Sequence, residues 1–158
     1  MKKYETKIDF LAKHQKFIDE IARIWLAEWI REKDDVGFEK LKKGIQKKLN
    51  INKVPFILVA LDGGDWVGTA SLWEHDLDKR PDLTPWIAGV YVKENYRGQG
   101  IASQLINRVL DIAKKFGFKK IYLHTEHTHR LYEKLGWSRL EESINDQGEP
   151  TTVYVLEI

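Results

Sequence analysis

The stretch from Trp86 to Ser103 reads Trp-Ile-Ala-Gly-Val-Tyr-Val-Lys-Glu-Asn-Tyr-Arg-Gly-Gln-Gly-Ile-Ala-Ser. Its first half is apolar, β-branched and aromatic, which predicts a short buried strand over residues 87–92. Gly98 and Gly100 indicate a tight turn, because glycine accepts positive φ and allows the backbone to approach a ligand closely. Apolar residues then recur at the spacing of an amphipathic helix: Ile101, Leu105, Val109, Ile112 and Phe116. The stretch therefore predicts a strand, a glycine turn and a helix in direct succession.

A glycine turn at the start of a helix is suited to binding an anion. The unpaired N–H groups of the first helical turn and the positive end of the helix dipole converge on one point, where phosphate fits. A P-loop would end in Gly-Lys-Ser/Thr and a dinucleotide fingerprint would read Gly-x-Gly-x-x-Gly, and the sequence has neither. The turn instead reads Arg97-Gly98-Gln99-Gly100-Ile101-Ala102.

Three separated segments resemble the GNAT superfamily of N-acetyltransferases. Residues 97–102 match its Arg/Gln-x-x-Gly-x-Gly/Ala signature, and residues 90–92 stand where its splayed strand lies. Residues 131–137, Leu-Tyr-Glu-Lys-Leu-Gly-Trp, resemble its second motif. The resemblance covers residues 54–137 well. It implies a GNAT-like fold, acetyl-CoA as co-substrate, and an acyltransferase that acts by direct transfer to an amine in a ternary complex.

Composition limits the other possibilities. With 158 residues, 42% of them hydrophobic, the chain suits one globular domain over residues 1–158. A formal charge of +2 is too balanced to indicate a nucleic-acid or membrane partner. The chain has no cysteine, so it has no disulfide, no thiolate metal ligand and no covalent acyl-cysteine. No apolar run reaches the length of a membrane span, and we expect a soluble cytoplasmic protein, as a monomer or homodimer.

Hydrophobic periodicity places the remaining elements. The predicted strands cover residues 4–11, 55–61, 66–74, 87–92, 120–124, 137–141 and 152–158, and the predicted helices cover 14–32, 38–49, 101–116 and 129–135. This order indicates an α/β or mixed α+β fold. A helical crossover joins the 87–92 and 120–124 strands, so they should run parallel. With the resemblance, we expect a mixed, mostly antiparallel sheet with one splayed parallel pair and helices on both faces.

The resemblance also assigns the acetyl-CoA contacts. The amides of Val90, Tyr91 and Val92 would pair with the pantetheine arm. The pyrophosphate would rest on the backbone of the turn and the first helical turn, which comprise Arg97, Gly98, Gln99, Gly100, Ile101, Ala102 and Ser103. Many superfamily members carry an Asn that contacts the cofactor after the next strand, where this chain has Glu126-His127-Thr128-His129. The contacts on the adenosine side of CoA are therefore not assigned. The alternative for the turn is a helix entry without a ligand.

Acetyl transfer from a thioester to an amine needs a base for the amine, a stabilised oxyanion and an acid for the thiolate. Tyr132 occupies the Leu-Tyr position of the second motif, so the resemblance implies that it is the acid; the alternative is a packed helix tyrosine. Glu74 and Glu126 are candidates for the base, directly or through water, and the alternative is a pair of surface carboxylates. An amide near Val90 or Val92 is the candidate oxyanion donor.

Several alternatives concern the acceptor and the histidines. The cluster His124, Glu126, His127 and His129 has no recognised zinc spacing, so we expect no metal. A small-molecule amine is the favoured acceptor, and the alternatives are a protein or peptide amine and a non-catalytic acyl-CoA sensor. The 76–85 loop, with Asp76, Asp78 and Asp82, is expected to select the acceptor together with residues 28–35. The alternative for that loop is a solvated connector.

Overall fold

The computed structural model describes residues 6–31 and 33–158. Its strands are β1 (Lys7–Phe10), β2 (Phe56–Asp62), β3 (Asp65–Trp73), β4 (Trp86–Val92), β5 (Lys120–Thr125), β6 (Ser138–Ile144) and β7 (Pro150–Glu157). Its α-helices are α1 (Ile18–Trp29), α2 (Asp35–Gln46), α3 (Ile101–Lys115) and α4 (His129–Lys134). The order of the elements is the predicted one. Tyr4, Glu5 and Glu32, which belong to predicted elements, lie outside the described residues.

The seven described strands form one sheet in the order β1-β2-β3-β4-β5-β7-β6. All neighbouring strands are antiparallel except β4 and β5, which are parallel as predicted. The pairing of β4 with β5 consists of Trp86 opposite Tyr122, so the two strands diverge beyond that point. The predicted fold class and the splayed pair are confirmed.

Helices cover both faces of this sheet. In β2, Phe56, Leu58 and Ala60 pack in the cluster that contains α3, whereas Ile57 and Val59 pack in the cluster that contains α1 and α2. A strand that is buried on both faces needs a continuous apolar run, which is what this segment supplies. Burying one Leu or Ile side chain fully stabilises the folded state by about 1.5–3 kcal/mol relative to leaving it exposed. The strands are therefore fixed from both sides.

Strand β4 continues this alternation at the point where it leaves β5. Val90 and Val92 pack on the α3 side of the sheet, and Tyr91 packs on the α1 side. Any ligand between β4 and β5 therefore meets different elements on the two faces. The α3 side provides the glycine turn, and the α1 side provides the end of α1 and the 74–85 connection.

Several boundaries differ from the prediction; α1, for example, begins at Ile18 rather than at residue 14, and α2 ends at Gln46 rather than at residue 49. Two of the shifts have a visible cause in the structure. The sequence predicts a break at 34–37, but α2 already begins at Asp35, because the Asp34 carboxylate accepts a hydrogen bond from the Gly37 N–H at 2.9 Å and caps the helix. The last hairpin is longer than predicted, since Ile144 pairs with Pro150 and confines the connection to residues 145–149.

Most of the tryptophans fill the core. Trp25, Trp66, Trp86 and Trp137 are buried, whereas Trp29 is 39% exposed at the end of α1. Aromatic residues supply the large buried area that a small core needs. Across residues 6–31 and 33–158, the helices are too short or too polar to cross a membrane.

Candidate active site

A cleft of about 1140 Å³ opens where β4 and β5 separate. Its lining comes from β4, the glycine turn, the start of α3, the end of β5, α4, the end of α1 and the 145–149 loop. All the residues predicted to hold acetyl-CoA lie in this lining except Gln99. The side-chain Oε1 of Gln99 is buried and has no hydrogen-bond partner among the described residues. The cleft therefore brings the predicted segments together.

The glycine turn has the geometry that an anion site needs. Gly98 and Gly100 have φ of +77° and +82°, which a residue with a side chain rarely adopts. Arg97 Nε donates to the Val92 carbonyl at 2.8 Å and ties the turn to the end of β4. Within the described residues, no side chain caps the first turn of α3. Its backbone N–H groups can therefore donate to an anion, and a pyrophosphate suits that donor set.

A β-bulge on β4 lies in the wall of the cleft. The pairing register with β3 shifts between Thr69 and Ser71, and Gly89 has φ of +62°. Trp25 Nε1 donates to Thr69 Oγ1 at 3.2 Å, and Thr69 Oγ1 donates to the Gly89 carbonyl at 2.7 Å. These two hydrogen bonds hold the bulge in place. This group of residues was not predicted from the sequence, although a glycine inside a strand is a known signal for a bulge.

Tyr132 lies in the cleft wall with its ring packed in the core. The residue is 6% exposed, and its ring lies near those of Trp137 and Tyr154. No residue in the described part of the chain hydrogen-bonds to its hydroxyl group. Burial raises the pKa of Tyr132 to about 12, so the phenol keeps its proton. A protonated hydroxyl in the cleft can donate to a thiolate; that role stays a prediction.

The two predicted base candidates lie in different surroundings. Glu126 lines the cleft and accepts a hydrogen bond from Asn145 Nδ2. Glu74 is exposed and lies outside that lining. The structure therefore places Glu126, and not Glu74, in the same cavity as Tyr132. The role of either carboxylate stays a prediction.

His124 and Asp76 form an ion pair in the wall of the cleft. His124 Nε2 lies 3.0 Å from Asp76 Oδ2, with the two side chains 14% and 18% exposed. His124 Nδ1 lies 3.0 Å from the hydroxyl of Thr151. Burial alone would lower the pKa of His124, but the hydrogen bond and charge of Asp76 raise it above its usual value, with help from Glu126 and Asp146. Both ring nitrogens are engaged, so His124 links the 74–85 connection to β5 and β7.

The opposite side of the cleft from the glycine turn is acidic and aromatic. Its carboxylates outnumber its cations. The cations are Arg31 and Lys33, together with the His124 ring that pairs with Asp76. The carboxylates are Glu28, Asp76, Glu126, Asp146 and Glu149. Trp29 and Trp73 contribute aromatic surface. The Arg31 guanidinium donates to the Gln147 carbonyl at 2.8 Å, which joins the end of α1 to the 145–149 loop across this side.

The predicted acceptor loop contributes less than expected. Asp76 lines the cleft, but Asp78 and Asp82 lie outside its lining. Arg80 holds Asp82 at 2.9 Å and also pairs with Glu141, so the middle of the loop is fixed against β6. No cluster of three or more His, Asp or Glu side chains is arranged to hold a metal in residues 6–31 and 33–158.

The sequence and the fold both match known acetyltransferases. The sequence profile of the acetyltransferase (GNAT) family matches residues 15–137, and the chain therefore belongs to this family. The chain is 36% identical over 88 residues to N-alpha-acetyltransferase 30 of Schizosaccharomyces pombe. That match covers 53% of this chain and 58% of the relative, so it spans less than two thirds of the relative's length.

Solved structures give the same fold over nearly the whole chain. An aminoglycoside 6'-N-acetyltransferase complexed with coenzyme A superposes with a TM-score of 0.75 at 17% identity, covering 96% of each chain. A GNAT family acetyltransferase from Elizabethkingia anophelis with acetyl-CoA bound gives a TM-score of 0.60 at 19% identity, covering 76% of this chain and 83% of that one. The predicted family, fold and enzyme class are confirmed. A single domain over residues 1–158 and a cytoplasmic location stay predictions.

Proposed function

We propose that the protein is an acetyl-CoA-dependent N-acetyltransferase that transfers the acetyl group directly to a primary amine. The observation that carries this proposal is the hydroxyl of Tyr132. It is protonated, it is unpartnered among the described residues, and it lies in the same cleft as an uncapped helix N-terminus. A module that only binds acyl-CoA needs the turn but not a placed acid. This favours an enzyme over a sensor.

Acetyl-CoA would bind along β4 and the glycine turn. The backbone of Val90, Tyr91 and Val92 borders the gap that β5 leaves open and would pair with the pantetheine arm. The backbone N–H groups of residues 97–103 would hold the pyrophosphate. CoA in one of the similar structures and acetyl-CoA in another support this placement.

The transfer would use the side chains of the cleft in order. Glu126, directly or through water, takes one proton from the ammonium group of the acceptor, and the neutral nitrogen then attacks the thioester carbon. An N–H near Val90 or Val92 stabilises the oxyanion. The C–S bond breaks as Tyr132 gives its proton to the thiolate. The nitrogen's second proton then passes through water to the Tyr132 oxygen, and the proton held by Glu126 is released to solvent. The products are one amide, one CoA thiol and one released proton.

The favoured acceptor is a small cationic amine. The carboxylates opposite the glycine turn attract a cation, and the exposed face of Trp29 offers a cation–π contact. The second candidate is the α-amine of a peptide, which is favoured by the similarity to N-alpha-acetyltransferase 30 of Schizosaccharomyces pombe.

Incubation with acetyl-CoA and a panel of amines tests both candidates. The panel contains a diamine, a monoamine of the same length, an aminoglycoside and short peptides with a free N-terminus. Mass spectrometry identifies the acetylated product, and a thiol reagent follows CoA release. We expect the highest kcat/KM for the diamine or the aminoglycoside. A preference for peptides would select the second candidate, and CoA binding without transfer to any amine would favour the sensor.

A further inference from the structure

His129, the first residue of α4, is bound at both ring nitrogens by different parts of the fold. Its Nδ1 lies 3.0 Å from the hydroxyl oxygen of Tyr154 on β7. Its Nε2 lies 3.2 Å from the backbone carbonyl oxygen of Glu126, in the connection from β5 to α4. The ring, on the helix that carries Tyr132, therefore joins the backbone at Glu126 to Tyr154 on β7.

The hydrogen-bond partners determine where the protons of this ring must be. A carbonyl oxygen can only accept, so Nε2 carries a hydrogen. The Tyr154 hydroxyl donates its single hydrogen to Glu133 Oε1 at 3.0 Å. Glu133 also accepts from Arg139 Nε at 2.9 Å, and these two hydrogen bonds lower its pKa, so it is an acceptor only.

The second ring nitrogen must therefore donate as well. Since the Tyr154 hydrogen points to Glu133, the contact between Nδ1 and the Tyr154 oxygen needs a hydrogen on Nδ1. A neutral ring would leave two acceptors facing each other at one of the contacts, and one hydrogen bond would be lost. The complete set of contacts is satisfied by an imidazolium ring.

We propose that His129 is a positioning residue that, as an imidazolium, ties the start of α4 to β7 and holds Tyr132 and Glu126 at a fixed separation. The proposal rests on the proposed function for the roles of those two residues. The charged and titratable groups around the ring are Glu133 on α4, Arg139 on β6, Tyr154 on β7 and the Glu126 carboxylate beside the contacted carbonyl.

A nuclear magnetic resonance measurement on the whole protein tests the protonation directly. Nitrogen-15 shifts of the His129 ring at neutral pH should have the values of a ring that is protonated at both nitrogens. A neutral tautomer would overturn the proposal. This readout does not depend on catalysis.

Kinetics test the positioning role. His129→Gln should lower kcat roughly ten- to hundredfold, as expected for a small misplacement of reacting groups, with the KM for acetyl-CoA unchanged. His75→Gln, at an exposed histidine outside the cleft lining, is the matched control and should keep the wild-type kcat.

A second variant covers the case in which His129→Gln does not fold. Tyr154→Phe removes one oxygen from a buried ring and should lower kcat in the same direction, again without changing the KM for acetyl-CoA. An unchanged kcat in a folded variant, or a rise in that KM alone, would overturn the positioning role. If no amine is acetylated but the imidazolium signal is present, the proposed function fails and the hydrogen-bond assignment stands.

Discussion

The two sides of the cleft are built in different ways. The side expected to hold acetyl-CoA comes almost entirely from residues 86–103, and its binding groups are backbone amides placed by one strand, one turn and one helix. The opposite side is assembled from the end of α1, the 74–85 connection, the end of β5 and the 145–149 loop, and its binding groups are side chains. The first side depends on local geometry, whereas the second depends on how distant segments pack.

This difference predicts where substitutions act. Backbone amides do not change with the side chain, so the glycine-turn side should respond only to changes of shape or charge that reach the ligand. On the opposite side each carboxylate is a separate contact, and its loss should affect the acceptor alone. Tyr132 lies where the two sides meet, and it should therefore affect turnover rather than either binding step.

Replacing Tyr132 with Phe should have the largest effect. The hydroxyl has no partner among the described residues, so its removal leaves the packing intact and takes away the proposed acid. We expect kcat to fall by roughly 10²- to 10⁴-fold, the range of general acid catalysis, with the Kd for acetyl-CoA unchanged. Stopped-flow turnover and calorimetry measure the two quantities. Wild-type kcat at saturating substrates would remove Tyr132 from the mechanism.

A negative charge at the start of α3 should be next in size. Ala102→Glu places a carboxylate against the expected pyrophosphate site. Like charges in contact cost several kcal/mol, so we expect the affinity to fall roughly a hundredfold or more. Asn107→Glu adds the same charge on the exposed face of α3 and is the matched control. Calorimetric titration with CoA compares them. Equal losses of affinity in the two variants would contradict the placement of the phosphates.

Glycine substitutions test the bulge on β4. A Cβ at Gly89 would lie 2.7 Å from Trp25 Cζ2 on a backbone with φ of +62°, so Gly89→Ala should destabilise the fold by about 1–3 kcal/mol. At Gly44 in α2 the added Cβ lies 3.8 Å from Lys48 Nζ, an ordinary contact, so Gly44→Ala should stabilise by about 0.5–1 kcal/mol. Urea unfolding measures both free energies. Changes of the same sign at the two sites would argue against a strained bulge.

The sequence predicts the two sides of the cleft unequally well. The structure of the segment from Trp86 to Ser103 can be predicted from the segment alone. Its strand, turn and helix follow each other without interruption, and each has a recognisable local pattern. Local patterns also fix the order of the elements and the parallel pair. They did not reveal the bulge at Gly89, because its support comes from Trp25 and Thr69, which are distant in sequence.

The acceptor side was predicted less well for the same reason. Several carboxylates stand near the ends of strands, and nothing in the sequence distinguishes Glu74 from Asp76, two residues further along. The structure distinguishes the two residues, because Asp76 lines the cleft and pairs with His124, which lies 48 residues further along the chain. An ion pair between residues this far apart has no associated pattern in the amino-acid sequence, so it could not be predicted.

Neutralising Asp76 should give a smaller, selective effect. Asp76→Asn should raise the KM for a cationic amine roughly fivefold, about 1 kcal/mol, and leave the KM for acetyl-CoA unchanged. Asp82→Asn is the matched control, because Asp82 pairs with Arg80 outside the cleft lining. Steady-state kinetics with both substrates varied separate the two constants. Parallel changes in both KM values would mean that Asp76 does not act on the acceptor.

The pH dependence of folding should show the smallest effect. In the folded protein the pKa of His124 lies above its ordinary value of 6.5. Burial alone would lower this pKa, but the hydrogen bond and charge of Asp76 raise it. The folded state therefore holds this proton more tightly than the unfolded chain does. The stability from this pair is complete below pH 6.5 and is lost as the pH rises through the folded pKa. Urea unfolding across this interval should show the wild type losing stability relative to Asp76→Asn. The Asp82→Asn control should keep the wild-type slope. If wild type and Asp76→Asn differ by a constant amount at every pH, the proton on His124 does not link the 74–85 connection to β5.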